Sequence, residues 1–441
     1  MDLHAQARRQ GCDFANQFVS NALIDMYAKS GSMADARRVF DRMSDHTVVS
    51  WTALMLGYTE NGEAGLTLDL LGCMEGRGCE PNARTFMAGG MACIALAVEE
   101  KINGEVVKVR CCELGAGIHS LAVRSRSSDV FLANTLIDLF SKCGSMVKAR
   151  SVFEKMPCHN VVSWTALTIG YAENGEGEQA LESFSLMRAT GVPPDGRAFL
   201  AALVASGSVA ALGAGKRIQG DVYRFGMEKD AIVPSCLVDF YGKCGCVLAA
   251  RQLFDSLTSG ADLTTWNSLI VAYSRRGDTT QAFELFHRME DEGVQADGIT
   301  FLALLSACSH VGLLDKGRRC FHSMLPGYNV RPGLDHYHCM VDILGRGNEL
   351  EEALALVKSM PFKPDALTWR TVLAACRKWK NVELGRLAFE RLVELDGSNG
   401  AAYVLMGAIY GSTGMWEEQA KILSLRNVVE VERAETKLVK S

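Results

Sequence analysis

The chain has 441 residues, with 46 Lys and Arg against 51 Asp and Glu, and a formal net charge of −5 at pH 7. This acidic balance argues against nucleic-acid binding by bulk electrostatics, but it does not describe the charge of any one face. The longest uncharged run, 198–215, contains three glycines and a predicted turn, so we expect no membrane span. The 15 cysteines, without a visible secretory leader, predict a reducing compartment in which most cysteines pack as small hydrophobic residues.

Internal repetition is the strongest signal in the chain. The stretch NALIDMYAKSGSMADARRVF from Asn21 returns as NTLIDLFSKCGSMVKARSVF from Asn134, and more loosely as SCLVDFYGKCGCVLAARQLF from Ser235. The segments VVSWTAL, VVSWTAL and TTWNSLI recur in the same phase, around Trp51, Trp164 and Trp266. A composite unit of about a hundred residues is therefore copied, which is typical of a solenoid.

Gly and Pro punctuation divides each composite unit into three repeats, which we name short, plain and long. Their predicted bounds are short 17–47, plain 48–82 and long 83–129, then 130–160, 161–195 and 196–230, and then 231–262, 263–297 and 298–333. Each repeat has two apolar-periodic stretches separated by a turn such as KSGS or ENGE, which predicts two helices and no strand. We therefore predict an all-α fold, a right-handed α-solenoid of helix-turn-helix repeats.

The ends and one insertion depart from this register. The predicted terminal segments are 1–16, the second helix of a truncated long repeat, then a last short repeat 334–365, an extension 366–430 and a tail 431–441. The long repeat 83–129 has about a dozen residues more than its counterpart 196–230, and the surplus lies within 98–113. An extended loop between helices is the favoured interpretation. A short hairpin at Asn103-Gly104 is the alternative.

The sequence shows no metal-binding pattern. It contains no C-x-x-C pair, and His336, His338 and Cys339 fall on a predicted helix in the register of buried residues. We expect neither a metal site nor a cofactor.

The repeat segments resemble a known family. The phrases NALIDMYAKSG, DARRVFDRM, VVSWTAL, LLSACSHVGLLDKG and MVDILGRGNELEEALALVKSMPFKPD are similar to pentatricopeptide-repeat (PPR) proteins of the land-plant class with plain, long and short repeats in rotation. The segments ALTWRTVLAACRKWKNVELGRLAFERLVELD and AAYVLMGAIYGSTGMWEEQAKI resemble that class's C-terminal E-type extension, and also tetratricopeptide repeats. From Asn427 the tail departs from the usual continuation of that extension.

The resemblance implies a function in an organelle, mitochondrion or chloroplast. Members with these extensions are site-recognition factors for C-to-U RNA editing that bind single-stranded RNA, one base per helical repeat. It implies no DNA partner and no membrane partner. Editing would require a deaminase recruited in trans.

The resemblance places base recognition on the fifth and the last residue of a repeat. In the plain repeats these pairs are Thr52 with Asn82, Thr165 with Asp195 and Asn267 with Asp297, for which the family's pattern implies adenine, guanine and uracil. In the short repeats they are Asn134 with Asn160, favouring a pyrimidine, Ser235 with Asp262, favouring guanine, and Asn21 with Thr47, which is poorly determined. A helix cap is the ordinary alternative for any one of these polar residues.

Other positions are expected to contribute less. The second residues Val49, Val162 and Thr264 are where the family uses an aliphatic side chain to sandwich bases, with core packing as the alternative. The long repeats carry Met87, Leu200 and Leu302 as fifth residues, which cannot select a base by hydrogen bonding and so act as spacers. No base is assigned to His338 with Asp365.

We expect the chain itself to be no enzyme. The deaminase domain of some relatives needs H-x-E and P-C-x-x-C to hold zinc and move the proton, and neither spacing occurs here. Two alternatives remain open. One is an organellar RNA splicing or stability factor, and the other is a tetratricopeptide-like scaffold that binds protein.

Overall fold

The computed structural model describes residues 16–99, 105–124, 129–230, 232–257, 261–397 and 400–426. The chain divides into two compact units, Met1–Val233 and Pro234–Ser441. Every regular element in the described ranges is a helix, and no described residue lies in a strand. The predicted all-α class is confirmed.

Unit 1 consists of consecutive helix hairpins. Its helices are α1 (Gln17–Lys29), α2 (Met33–Arg42), α3 (Val48–Glu60), α4 (Ala64–Gly76), α5 (Ala83–Glu99), α6 (Glu105–Arg124), α7 (Val130–Lys142), α8 (Met146–Glu154), α9 (Val161–Glu173), α10 (Gly177–Ala189), α11 (Gly196–Ser208) and α12 (Leu212–Arg224), followed by a 3-10 turn at Met227–Lys229. The first helix of a repeat packs on its own second helix and on the first helices before and after it, as α9 does on α10, α7 and α11. Each repeat therefore buries its apolar face against its neighbours.

Unit 2 repeats the same packing. Its helices are α13 (Val233–Lys243), α14 (Val247–Asp255), α15 (Leu263–Arg276), α16 (Thr279–Asp291), α17 (Gly298–Val311), α18 (Leu314–Tyr328), α19 (Leu334–Arg346), α20 (Leu350–Ser359), α21 (Ala366–Trp379), α22 (Val382–Leu395), α23 (Gly400–Ser412) and α24 (416–426). Here α15 packs on α16 and α17, and α17 in turn packs on α19. First helices thus stand side by side through the unit.

The turns inside the hairpins have a common chemistry. In the ENGE turns after α3 and α9, Gly62 and Gly175 have φ values of 82° and 79°. Glycine adopts this left-handed region without steric cost, so it can end the first helix within a single residue. The short turn then brings the second helix back along the first.

The recurring tryptophans form the contact between repeats. Trp51 and Trp266 are 1% and 0% exposed. An edge-on phenylalanine from the preceding short repeat packs against each tryptophan, with ring centroids 4.8, 4.6 and 4.5 Å apart in the pairs Phe40–Trp51, Phe153–Trp164 and Phe254–Trp266. Edge-to-face packing at this separation is favourable beyond the area it buries. The shared phase of these residues in the sequence thus reflects a shared packing position.

The surplus of the first long repeat is mostly helical. Helices α5 and α6 have 17 and 20 residues, whereas α11 and α12 of the counterpart repeat have 13 each. The extended-loop interpretation of 98–113 is therefore wrong for 98–99 and 105–113, which continue the two helices. The alternative hairpin at Asn103-Gly104 lies outside the described residues, as do 1–15 and the tail from 427.

Candidate nucleic-acid interface

The predicted last residues of the repeats are helix N-caps. In each, a side-chain oxygen accepts a hydrogen bond from the backbone N–H three residues later, at 2.8–3.3 Å. These residues are Thr47, Asn82, Asn160, Asp195, Asp262 and Asp297. The capping alternative therefore holds for all six, and one oxygen of each side chain is already used.

The predicted fifth residues lie in the first turns of the repeats and are largely buried. Thr52 and Thr165 are 6% exposed and Asn267 is 5% exposed, whereas the fifth residues of the short repeats, Asn21, Asn134 and Ser235, are half-buried. Burial limits the polar atoms that such a side chain can offer to a ligand. Its hydrogen bonds inside the protein therefore decide which atoms remain free.

In repeat 263–297 the fifth and last residues touch directly. Asn267 Nδ2 donates to Asp297 Oδ1 at 3.0 Å. The hydroxyl of Thr300, the third residue of the following repeat, donates to Asn267 Oδ1 at 2.6 Å and lies 3.0 Å from Asp297 Oδ1. The backbone N–H of Thr300 also donates to Asp297 Oδ1, at 2.9 Å. Every one of these bonds to Asp297 ends on the same carboxylate oxygen.

Three further repeats have this arrangement of fifth residue, following threonine and last residue. They are Thr52–Thr85–Asn82, Ser235–Thr265–Asp262 and His338–Thr368–Asp365. The threonine Oγ1 lies 2.9, 2.7 and 2.9 Å from the fifth residue in turn. His338 Nε2 also lies 3.1 Å from Asp365 Oδ1. The pairs are thus linked, directly or through one hydroxyl.

The remaining predicted pairs are not linked in this way. Within the described part of the chain, Asn21 Oδ1, Asn134 Oδ1 and Thr165 Oγ1 are buried and have no hydrogen-bond partner. The residue after Asn160 that corresponds to Thr300 is Ser163, whose hydroxyl bonds to Asn160 Oδ1 at 3.0 Å. After Asp195 the corresponding residue is Ala198, which has no hydroxyl. The structure therefore separates two classes of pair.

A cavity of about 250 Å³ lies at the Asn267–Asp297 pair. Its walls include Thr264 and Ile299, the second residues of two consecutive repeats, and Arg275 from the next turns of α15. The cavity is therefore lined by two second residues, by the polar pair, and by further charged side chains that include Asp239 and Lys243.

Unit 1 has a corresponding cavity of about 400 Å³. It brings together Asn134, Thr165 and Asp195 with the second residues Val162 and Arg197. Val162 and Thr165 are three residues apart on one helix and so share a face. The sequence-predicted residues of two adjacent repeats therefore meet in one cavity.

The second residues of the repeats face solvent. Val49 and Val162 are 60% and 53% exposed, and Thr264 is exposed as well. Core packing, the alternative for these three residues, is therefore wrong. Ile299, which sequence reasoning did not single out, is 57% exposed at the equivalent place. An exposed aliphatic residue of this kind is available for contact with a ligand.

Hydrogen bonding keeps two of the last residues ionised. Burial alone would raise the pKa of Asp297, but hydrogen bonds from Thr300 and Asn267 outweigh it and hold that pKa below its ordinary value. The pKa of Asp365 is likewise lowered, because burial is outweighed by hydrogen bonds from Thr368 and the contact with His338. At neutral pH both carboxylates therefore accept hydrogen bonds and donate none.

The third-residue threonines and serines were missed by sequence reasoning. The sequence does contain a recurring pattern in which Asn or Asp is followed three residues later by Ser or Thr, as in NART from Asn82 and DGIT from Asp297. That spacing indicates a helix start with reciprocal capping. It does not by itself indicate that the hydroxyl also reaches the repeat before.

The residues considered for a metal site have other contacts. His336 is 8% exposed and its Nε2 lies 2.8 Å from the Gly298 carbonyl oxygen. Burial raises the pKa of the Cys339 thiol to about 11. The described ranges contain no group of three or more His, Cys, Asp or Glu side chains placed to hold a metal ion. Among the helices of those ranges, none has the length and apolar character to cross a bilayer.

The long repeats differ at the same places. Their fifth residues Met87, Leu200 and Leu302 are half-buried. They add no polar side-chain group to the surface on which the other fifth residues lie.

Comparison with family models matches these segments to PPR repeats and to an E motif. The PPR repeat model matches 18–48, 49–79, 131–161, 162–192 and 335–363, the PPR repeat family model matches 261–324, and the E motif model matches 379–433. The five matches to the PPR repeat model begin one residue after the bounds predicted from the sequence.

Curated relatives come from Arabidopsis thaliana. A chloroplastic pentatricopeptide repeat-containing protein is 36% identical over 428 residues, which is 96% of this chain and 51% of the relative. A mitochondrial one is 36% identical over 426 residues, 96% of this chain and 63% of the relative. The chain thus spans between half and two thirds of the length of these relatives.

A solved structure shares the fold. The pentatricopeptide repeat protein PPR10 in complex with an 18-nt psaJ RNA element superposes with a TM-score of 0.69, at 20% identity, over 94% of this chain and 61% of that chain. Helix pairs, repeat phase and this superposition agree on an α-helical repeat solenoid. The chain belongs to the pentatricopeptide-repeat family and carries an E motif after its repeats.

Proposed function

We propose that the chain binds single-stranded RNA in a sequence-dependent way and directs C-to-U editing in an organelle, with a deaminase supplied in trans. The observation that carries the binding proposal is the Asn267–Asp297 pair, held at 3.0 Å in a cavity whose walls include Thr264 and Ile299. One base would enter between the two walls. Its edge would then meet the polar pair.

Helix capping gives a physical reason why the last residue of a repeat discriminates between bases. The cap consumes one oxygen, so a last-residue Asn presents its NH₂ donor to a ligand while a last-residue Asp presents its second oxygen as an acceptor. Asn82 then suits the ring-nitrogen acceptor of adenine. Asp195 and Asp297 suit the N–H groups of guanine and uracil.

The proposed base for each pair follows from this division and from the family's pattern. The pairs are Thr52 with Asn82 for adenine, Asn134 with Asn160 for a pyrimidine, Thr165 with Asp195 and Ser235 with Asp262 for guanine, and Asn267 with Asp297 for uracil. Asn21 with Thr47 is left without a firm base. Each long repeat would span one nucleotide of the RNA without selecting its base.

Aliphatic second residues would supply affinity rather than selectivity. Val49, Val162 and Ile299 are more than half exposed, and each can cover the face of a base whatever its identity. Base stacking and apolar coverage are tolerant of sequence because every base has a flat face. The polar pair would therefore select the base, and the second residues would contribute affinity for any base.

The organellar editing role rests on relatives. The E motif match and the chloroplastic and mitochondrial names of the relatives support it. An organellar splicing or stability factor would use the same RNA-binding surface. A protein-binding scaffold would not use that surface for RNA. An RNA titration therefore distinguishes the scaffold from an editing factor and from a splicing or stability factor.

The test is a mobility-shift titration of the full chain with a labelled RNA. For unit 1 the RNA carries, 5′ to 3′, adenine, any base, a pyrimidine and guanine within fixed flanks, since the family binds RNA in parallel with the chain. The control RNA carries the same bases in reverse. The proposal expects tighter binding of the forward RNA and weaker binding of the matching DNA. Equal dissociation constants for forward and reversed RNA would refute ordered base recognition.

A further inference from the structure

The third residue of the following repeat links the two proposed base-contacting residues. Thr85, Thr265, Thr300 and Thr368 are each 0% exposed, and their hydroxyls lie between the fifth and last residues of the repeat before. We infer that this buried threonine is a positioning residue that sets which base the preceding pair accepts. The inference rests on the proposed RNA binding.

Asp297 and the Thr300 hydroxyl together determine how the Asn267 amide is oriented. Asp297 is ionised and can only accept, so the amide must turn its Nδ2 donor towards it. Oδ1 then faces Thr300 at 2.6 Å, and an oxygen there needs a donor. The hydroxyl has one proton, and Asp297 Oδ1 already accepts two N–H groups. The proton therefore goes to Asn267, and only one amide orientation satisfies every group.

The orientation matters because the two faces of an amide are opposite in chemistry. One rotation by 180° exchanges the donor and the acceptor that Asn267 offers to a base edge. With Thr300 in place, the second Nδ2 proton and the second Oδ1 lone pair keep fixed places in the cavity. Without its hydroxyl, Asn267 Oδ1 would lose its donor and the rotamer would be less restricted.

Unit 1 provides natural contrasts to this arrangement. Where the third residue is Ser163, the hydroxyl bonds to the cap Asn160, and Asn134 Oδ1 has no partner within the described residues. Where it is Ala198, Thr165 Oγ1 has none either. The link therefore depends on the residue at this one place and does not follow from the fold alone.

The experiment is a paired substitution in unit 2 of the full chain, Thr300→Val and Thr265→Val. Both residues are fully buried, both are third residues of a helix, and valine keeps the branched shape while removing the hydroxyl. The probe is a labelled RNA carrying guanine and uracil for repeats 231–262 and 263–297. Each of the two bases is replaced in turn by the other three, and dissociation constants are measured.

We expect a crossed result. Thr300→Val lowers the preference for uracil roughly fivefold, the effect of one net hydrogen bond, and leaves the guanine preference unchanged. Thr265→Val lowers the preference for guanine and leaves the uracil preference unchanged. A cap that only stabilises the helix would weaken all of these RNAs alike, so equal losses at both positions would overturn the inference. Unaltered preferences in both variants would overturn it too, while leaving RNA recognition intact.

A gain-of-function variant covers the case in which the valine variants do not fold. Ala198→Thr places a hydroxyl beside Thr165, as Thr85 stands beside Thr52 at 2.9 Å. We expect the guanine preference of repeat 161–195 to rise severalfold with no change at repeat 130–160. A folded Ala198→Thr protein with the original preferences would contradict the inference. If the unsubstituted chain shows no base preference anywhere, the proposed function itself fails, which is a different outcome.

Discussion

Replacing Asn267 by threonine should convert the preference of repeat 263–297 from uracil to guanine. Threonine fits this place, because Thr52 occupies the equivalent position of its own repeat at 6% exposure. Its hydroxyl would contact Thr300 as Thr52 contacts Thr85, at 2.9 Å. The change removes the amide and leaves Asp297 as the only proposed acceptor for the guanine N–H groups.

The size of the change follows from the bonds that are exchanged. Uracil loses about one net hydrogen bond, from the Asn267 amide, and guanine gains about one at Asp297. Each is worth about 1 kcal/mol, so the guanine-to-uracil ratio of affinities should rise by about 2 kcal/mol, or roughly thirtyfold. Fluorescence anisotropy with four RNAs that differ at this one base measures the ratio directly.

The reciprocal variant Thr165→Asn is the matched control. It pairs an asparagine with Asp195, as Asn267 pairs with Asp297, and should move repeat 161–195 from guanine towards uracil. If both variants keep the original order of affinities for the four bases, the assignment of selectivity to the fifth residue is wrong. A uniform loss for all four bases would indicate damage to the fold instead.

Further predictions concern stability, pH and chemistry. Trp266→Ala should destabilise unit 2 by about 3–5 kcal/mol in urea unfolding, because Trp266 is 0% exposed, whereas Trp416→Ala, at 67% exposure, should change it by less than about 0.5 kcal/mol. The folded-state pKa of Asp297 is lowered, so its contribution to stability is present above the unfolded-state pKa of about 3.9 and is lost as pH falls through the folded value. Asp297→Asn should therefore flatten the acid limb of a stability-against-pH curve, and an unchanged limb would contradict this. The purified chain should convert no cytidine to uridine when incubated with RNA and zinc, and conversion would show a catalytic site that the sequence does not reveal.

Repeat phase made much of the candidate site predictable. The family resemblance, applied in the repeat register, paired Asn267 with Asp297, 30 residues apart, and the structure places Asn267 Nδ2 3.0 Å from Asp297 Oδ1. A residue that recurs at one phase of a solenoid recurs at one place on its surface. Val162 and Thr165, which the sequence analysis singled out for separate roles, line one cavity.

Two features could not be predicted because the local signal pointed elsewhere. The surplus of the first long repeat was interpreted as a loop over 98–113, yet residues 98–99 and 105–113 continue α5 and α6, since helix length in a solenoid is decided by packing on neighbouring repeats. The link made by Thr300 was hidden by its role as a capping residue. Capping is a contact within three residues, whereas the second contact joins residues 33 apart and depends on how two helices stack.

Capping and base recognition are usually treated as competing explanations for a polar residue at a helix start. In this chain they are compatible, because an asparagine or aspartate has two polar atoms and the cap uses one. In unit 2 the Asn267 amide is also satisfied, by Asp297 and Thr300, before any ligand binds. In unit 1, Asn134 Oδ1 and Thr165 Oγ1 are buried without a partner among the described residues.

Such an unpaired oxygen costs about 1–3 kcal/mol in the free protein. A base that donates a hydrogen bond to it would recover that cost on binding. At Asn134 and Thr165 that recovery would add affinity for any base that donates a hydrogen bond there, whereas at Asn267 the polar atoms are already fixed in place and can discriminate between bases. The residue that decides between these two modes is the third residue of the following repeat, which is threonine after Asn267 and alanine after Thr165.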